Sequence, residues 1–434
     1  MIPHFRACNI YIDLKSPPPL ATYNHITSHY QPSPTPGHTL LTLTRIWSWL
    51  FYTRRFLPPC KNGSIFSSSP FLPIPMVLAT NLDSDPNPIS GGLVVGNYCH
   101  DVLHRDGHII GETLGGAAAF ISNVLDSLSP SPTRYVSKVG SDFAYEVTHA
   151  PLVSGSSPTT LFHAHFPDSI SETGYHGDRV LKRVKVCDPI WPSDLPELKE
   201  RFEIGLAVGV AGEITIETLE RMIELCRVVF VDVQGLIRSF DPVDGTVGLV
   251  PLKSTPYFDL LSRIGFLKVS SDEAPFVDIE EARKLCCVVV TEGKDGCRVY
   301  WKDGELHVAP FPANQVDPTG AGDSFFGGFV VGLLWGLTVP DAALLGNLLG
   351  SITVGQVGVP QFDPIMLENI KQVLDSMAAA RKGSDANDTL FKFQKSSRHD
   401  EFQGSLQEIV KLKTCFELSN GDIDKCGNFH DIEN

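Results

Sequence analysis

Residues 317–325 read DPTGAGDSF and run directly into the apolar stretch FGGFVVGLLWGL. Two acids, a threonine and a Gly-Ala-Gly run stand where the chain must turn and then begin a helix. Glycine takes backbone conformations closed to other residues and lets a ligand come close. The first-turn N–H groups of a helix, with the helix dipole behind them, favour a phosphate or a developing oxyanion. Anion binding alone has no use for Asp323 at the mouth of such a positive site. A carboxylate there can take the proton from an attacking hydroxyl while the N–H groups stabilise a phosphoryl group in transfer. The plainer alternative is an aspartate that caps the helix start; a G-x-G-D stretch by itself does not separate the two.

The chain from Gly91 alternates β-branched runs with helical ones, among them GLVVGNYCHDVL, GGAAAFISNVLDSL, ITIETLERMIELC, RVVFVDVQG, FLKVSSDEA and CCVVVTEGKDG. Continuous apolar strands between amphipathic helices imply an α/β fold with a mostly parallel central sheet and helices on both faces. Ligands of such sheets sit beyond the carboxyl ends of the strands. Asp101, Asp232, Gln234, Glu273 and Thr291 end strands and are therefore candidates to face one cleft. Two segments break the rhythm. VLHRDGHIIGETL reads as a hairpin about Asp106-Gly107, and TTLFHAHF with GDRVLKRVKV alternates polar and apolar residues as half-exposed antiparallel strands do. Together they predict a small accessory β-sheet.

The folded domain is expected over residues 91–377, with 1–90 an N-terminal extension and 378–434 a largely disordered tail holding one short helix around SLQEIVKLK. Residues 1–75 carry six Lys/Arg against the single acid Asp13. Their apolar run HTLLTLTRIWSWLFY contains Arg45 and is shorter than the ~20 residues a membrane-spanning helix needs. Three readings of this leader stay open: an upstream or mis-assigned start with Met76 as the real opening, a transit peptide, or a functional arm. The net charge of −15, without clustered Lys/Arg, argues against a nucleic-acid partner. The ten cysteines show no C-x-x-C pair and no zinc-type spacing, which implies a reduced compartment, cytoplasmic or, with a transit peptide, plastid. Cys286-Cys287 reads as a helix-to-strand transition with one thiol buried and the other not. His163 and His165 share a strand face with no third metal ligand evident and read as accessory-sheet surface. Asn62 and Asn387 are glycosylation acceptors only in a secreted protein, which the cysteine usage does not support.

The stretch DPTGAGDSF resembles the second signature, D-T-x-G-A-G-D-x-F, of the PfkB or ribokinase-like family of carbohydrate kinases, and the likeness extends over about Gly91 to Ser376. No Walker-type G-x-x-x-x-G-K-[ST] occurs, so the phosphate site is of a different kind. The resemblance implies a ribokinase-like fold with a β-sheet lid and an ATP-dependent kinase working with Mg2+. It implies Asp323 as catalytic base, Gly320, Ala321 and Gly322 as the anion hole, and Thr319 beside it. Gly115-Gly116 match the glycine pair that hinges and touches the substrate, and Asp101 matches the acid that holds substrate hydroxyls. TEGKDG matches the stretch beneath ATP, which implies Thr291, Gly293 and Gly296 near the nucleotide, with Asn347 on the helix bordering the adenine pocket. DVQGLIR lies where relatives place polar groups facing the phosphates, which points to Gln234 and Arg238. Two departures stand out. The family's N-x-x-E is SSDE here, so Glu273 is kept to hold magnesium through water while Ser270 replaces the asparagine. Phe120 stands where sugar and nucleoside kinases tend to place an asparagine. With GNYCHD, GGAAAFISN and DVQGLIR, the pocket resembles the plant inositol-kinase branch of the family. That implies a polyol acceptor, myo-inositol, giving inositol 3-phosphate, with a small molecule and ATP as partners and neither nucleic acid nor membrane. Two alternatives remain at this point: a sugar or nucleoside acceptor, or a catalytically weak kinase-like scaffold.

Overall fold

The computed structural model describes residues 91–166, 179–197, 199–381 and 391–423. The expectations for the leader, for Met76 and for Asn62 and Asn387 lie outside the described residues. The first part of the chain forms strands β1 (Gly92–Val95), β2 (Cys99–Arg105) and β3 (His108–Gly115), helix α1 (Ala117–Leu128), and strands β4 (Thr133–Val136), β5 (Lys138–Gly140), β6 (Leu152–Ser154), β7 (Thr160–Phe166) and β8 (Val180–Lys185). The middle forms β9 (Phe202–Ala207), α2 (Ile216–Leu225), β10 (Cys226–Asp232), α3 (Gln234–Ile237), β11 (Arg238–Phe240), β12 (Val247–Leu249), β13 (Phe266–Ser270), α4 (Ile279–Ala282) and β14 (Cys287–Thr291). The last part forms β15 (Cys297–Trp301), β16 (Gly304–Val308), α5 (Ala321–Leu334), α6 (Val339–Thr353), α7 (Pro364–Arg381) and α8 (His399–Ile423).

The main sheet runs in the order β16-β15-β14-β13-β10-β9-β1-β4. Its strands from β14 to β4 are parallel; β15 and β16 turn back antiparallel at one edge. The inner strands are mostly apolar because both faces are covered. In β1, Val94 joins the core with α1, α5 and α6, while Leu93 and Val95 join the opposite core with α2. Asp101 and Gly115 belong to the separate small sheet β3-β2-β7-β8, in which β2 and β7 are parallel and the outer pairs antiparallel. Its first hairpin turns at Asp106 (φ 53°) and Gly107 (φ 73°), the pair of positive φ values that a tight two-residue hairpin turn demands. Only residues 96–98 separate β1 from β2, so this lid is tied directly to the carboxyl end of a central strand.

Two expectations are corrected. Cys286 and Cys287 are both buried, one in each core. Neighbouring residues at the start of a strand face opposite sides, and here both sides are covered. The C-terminal segment is also more structured than expected, since α8 begins at His399 and buries Phe402, Leu406 and Ile409 against the α5–α6 side of the core. His399 Nδ1 lies 2.5 Å from Asp341 Oδ1, and both side chains are buried. A polar pair across 58 positions of chain leaves no trace in the local pattern. Among the described residues no helix is long and apolar enough to cross a membrane.

Candidate functional site

Gly320 caps the start of helix α5, and its φ of 74° and ψ of −2° put it in the left-handed region. Space demands glycine there as well, because a Cβ would fall 2.0 Å from the Phe120 ring. Phe120, carried by α1, is thus the floor on which the Gly-Ala-Gly turn rests. The first-turn N–H groups of Gly322 and Asp323 have no intrahelical acceptor by helix geometry. Ala321 N–H turns back to Pro318 O at 3.3 Å. Ahead of the turn, Asp317 Oδ1 accepts Thr319 N–H at 2.9 Å, and the buried Asp317 Oδ2 has no partner among the described residues.

A cavity of ≈60 Å³ opens between this turn and the lid. Asp101, Gly116, Thr319, Gly320 and Asp323 line it together, with Phe120, Gln234 and Arg238. The topology explains the meeting. Asp101 sits on the lid strand β2, which leaves the end of β1, while α3 follows the end of β10. Gly115 lies just behind. A Cβ there would fall 2.1 Å from Asp101 Oδ2, and one at Gly116 (φ 89°) would fall 2.4 Å from Asn97 O. The glycine pair therefore leaves room for the Asp101 carboxylate and for the turn into α1.

Burial pushes the Asp101 carboxyl up to about 7, although Arg179 and Arg238 pull it down. Asp323 is also raised, first by burial, with Lys268, Arg238 and Arg179 opposing. Gln234 Nε2 donates to Asp232 Oδ2 at 3.0 Å and to Asp323 Oδ1 at 3.4 Å. The buried Lys268 Nζ bonds Asp232 Oδ2 at 3.0 Å and lies 3.3 Å from where a Cβ on Gly322 would stand. Burial opposes its charge, but Asp232, Glu273 and Asp323 together hold Lys268 above the ordinary lysine range. A carboxylate beside first-turn N–H groups, ringed by three cations, can accept a proton while a polyanion is bound next to it.

Glu273 sits at the same sheet end. Its Oε2 accepts Ser270 N–H at 2.8 Å, and its own N–H donates to Ser270 Oγ at 3.3 Å. Ser270 thus closes a small turn that fixes the Glu273 carboxylate. Thr291 at the end of β14, Gly293 and Gly296 in the turn to β15, and Asn347 on α6 do not line the cavity. Gly296 (φ 92°) has no space for a side chain, since a Cβ would meet Val308 O at 2.3 Å. Asn347 is buried, and its Nδ2 donates to Val308 O (3.1 Å) and Ala309 O (2.9 Å). It therefore ties α6 to the chain after β16.

Three site residues escaped the sequence reading. Lys268 had a signal, because a lysine inside the apolar strand FLKVS is tolerated only when its charge is paired. Arg179 had none; it enters the cavity from the start of β8 and donates to Thr319 Oγ1. The buried Glu213 accepts the N–H groups of Asn97 (3.1 Å), Val210 (3.1 Å) and Ala211 (2.7 Å), which pins the cavity-lining loop at Val210.

The pfkB family carbohydrate kinase pattern matches residues 272–365, which hold Glu273, Thr291 and the whole Gly320–Asp323 turn. An inositol 3-kinase of Oryza sativa subsp. japonica is 59% identical over 330 residues, covering 74% of this chain and 82% of the relative. An inositol 3-kinase of Arabidopsis thaliana is 63% identical over 279 residues, covering 64% of this chain and 78% of the relative. Among solved structures, a pyrophosphate-dependent kinase of the ribokinase family in a sulfate complex superposes with a TM-score of 0.52 at 17% identity, covering 62% of this chain and 97% of that one. At that identity the likeness bears on the fold alone, and it agrees with the mostly parallel central sheet described above. Relatives this similar over four-fifths of their length, with the signature turn set against an acid-bearing lid, leave one assignment: the chain belongs to the PfkB family of carbohydrate kinases.

Proposed function

We propose that this kinase transfers the γ-phosphoryl group of ATP to a hydroxyl of myo-inositol, giving inositol 3-phosphate. The observation that carries the reading is the single cavity in which Asp101 on the lid faces Asp323 at the first turn of α5. The inositol 3-kinase name borne by relatives 59% and 63% identical supplies the acceptor. A cyclic polyol has many hydroxyls and no charge. Asp101 accepts hydrogen bonds from these hydroxyls, and Phe120 and Phe162 give the ring an apolar wall.

The acceptor hydroxyl gives its proton to Asp323 as its oxygen forms a bond to the γ-phosphorus. The bond from that phosphorus to the β,γ-bridging oxygen breaks, and ADP leaves. The first-turn N–H groups, Lys268 and Arg238 stabilise the charge on the transferring group. A base serves best with its pKa near the working pH, and burial moves Asp323 that way. Thr291, Gly293 and Gly296 lie under the nucleotide in this reading, and Asn347 holds the adjoining backbone. The hard oxygen of the fixed Glu273 suits Mg2+ held through water, and Mg2+ bound with ATP neutralises phosphate charge.

The test is phosphoryl transfer from Mg-ATP to myo-inositol, ribose, fructose and adenosine, with Asp323→Asn as control. We expect turnover on myo-inositol, with kcat lowered about 10²–10⁴-fold in the variant and nucleotide binding retained. Turnover on another acceptor overturns the substrate. Undiminished turnover by the variant overturns the base, and nucleotide binding without any transfer favours a scaffold.

A further inference from the structure

The outer face of the lid carries three imidazoles that the kinase chemistry does not use. Asp101, Leu103, Phe162 and Ala164 point inward to the cavity, so by strand alternation His104, His163 and His165 point outward. The parallel β2–β7 register sets His104 directly beside His165, and His163 stands two residues earlier on the same face. Their donor nitrogens all lie within 4.8 Å of one another. The His104 ring centroid is 4.4 Å from that of His165 and 4.7 Å from that of His163. His104 Nε2 is buried and has no hydrogen-bond partner among the described residues. The sequence pattern H-x-H supplied only two of these ligands; the third comes from the preceding hairpin and is brought in by register. Neighbouring groups are already committed. His100 bonds the Tyr145 hydroxyl (2.9 Å) and lies 3.2 Å from Glu112, and Lys182, opposite His163, is held by Asp244 at 2.6 Å.

We propose that His104, His163 and His165 form a site for a divalent transition-metal ion of the zinc class. Three imidazoles with no carboxylate among them select borderline ions over Mg2+ and Ca2+, which take oxygen ligands. Ligand bonds of about 2.0–2.1 Å require the donors to close to roughly 3.3 Å, which ring rotation supplies by unstacking His104 from His165. A water takes the fourth position. The bound ion joins β2 to β7, the seam between the two lid hairpins, on the face opposite Asp101. The site thus stiffens the lid without entering the phosphoryl-transfer chemistry.

Chelator-treated full-length protein is titrated calorimetrically with zinc chloride in excess magnesium, which occupies oxygen-rich sites. Wild type is expected to take up one equivalent; His163→Gln/His165→Gln takes up none, and His104→Gln binds more than tenfold more weakly. Cobalt(II) added to wild type is expected to give the strong visible absorption of a four-coordinate ion, absent in the double variant. Near-ultraviolet circular dichroism confirms that the variants are folded, since the replaced rings are only half-buried. Equal zinc uptake by wild type and the double variant, no uptake by wild type, or the pale spectrum of solvated cobalt overturns the proposal.

Discussion

Asp101 and Asp323 stand on facing walls of one cavity, and burial acts on both in the same direction. For Asp101 the consequence can be followed through. In the proposed reaction Asp101 accepts substrate hydroxyls best as a carboxylate, and burial pushes its carboxyl up to about 7. The profile of kcat/KM reports the free enzyme, so kcat/KM for the polyol should fall about tenfold per pH unit below that value. Asp101→Asn should lower kcat/KM at pH 8 and flatten this acid limb. The same shift has a stability sign. The folded state holds the proton that the unfolded chain releases near 3.8, so the contribution of Asp101 is fully present below 3.8 and is lost as pH rises through about 7. Asp101→Asn should therefore raise the denaturation midpoint above pH 7, with the gain shrinking toward pH 4. Denaturant melts at pH 4.5 and 8 check this; equal effects at both pH values would show that the carboxylate carries no burial strain.

At the level of elements, most of the fold could be read from the chain. Strands β1, β10 and β14 announce themselves as β-branched runs because a parallel sheet covered on both faces needs them. The lid hairpin is legible from Asp106-Gly107. The helix around SLQEIVKLK was legible, but the full length of α8 and its packing onto the core were not. Its buried positions Phe402, Leu406 and Ile409 do follow helical spacing, but they are separated by charged and polar residues and flanked by segments without apolar runs. Its anchorage comes from Asp341 and from the core face of α6, remote in sequence. The two views predict different numbers. Phe402 is almost wholly buried, so Phe402→Ala should cost about 3–5 kcal/mol. In a tail that is not packed the same change should cost under about 0.5 kcal/mol. A denaturant titration of the pair distinguishes them.

Across the whole molecule, the site could be read where its residues stand on a motif, as Asp323, Gly320, Gly116 and Asp101 do, although Asp101 lies inside lid strand β2 and not at the end of the first strand as expected. It could not be read where a cation reaches the cavity from an irregular position, as Arg179 does, and it was missed at Lys268, whose charge inside the apolar strand FLKVS was the signal. These two belong to different bodies, the lid and the central sheet, and the cavity exists only while the bodies are together. The cavity is bounded on one side by the lid residues Asp101, Leu103, Phe162 and Ala164, so lifting the lid widens the path of the acceptor. Lid construction favours such movement. Ile109 and Ile110 remain exposed at the hairpin tip, and only residues 96–98 join β2 to the sheet end. Segments with few buried apolar contacts open most easily. Amide exchange should therefore be faster in β2, β3, β7 and β8 than in β1, β9 and β10 in the free protein. Saturating myo-inositol should slow exchange in β2 and β7, whose Asp101 and Phe162 line the cavity, while nucleotide alone leaves the lid unchanged. Lid amides that exchange as slowly as those of β1 in the free protein would mean a fixed wall, and the acceptor would then have to enter past α3 instead.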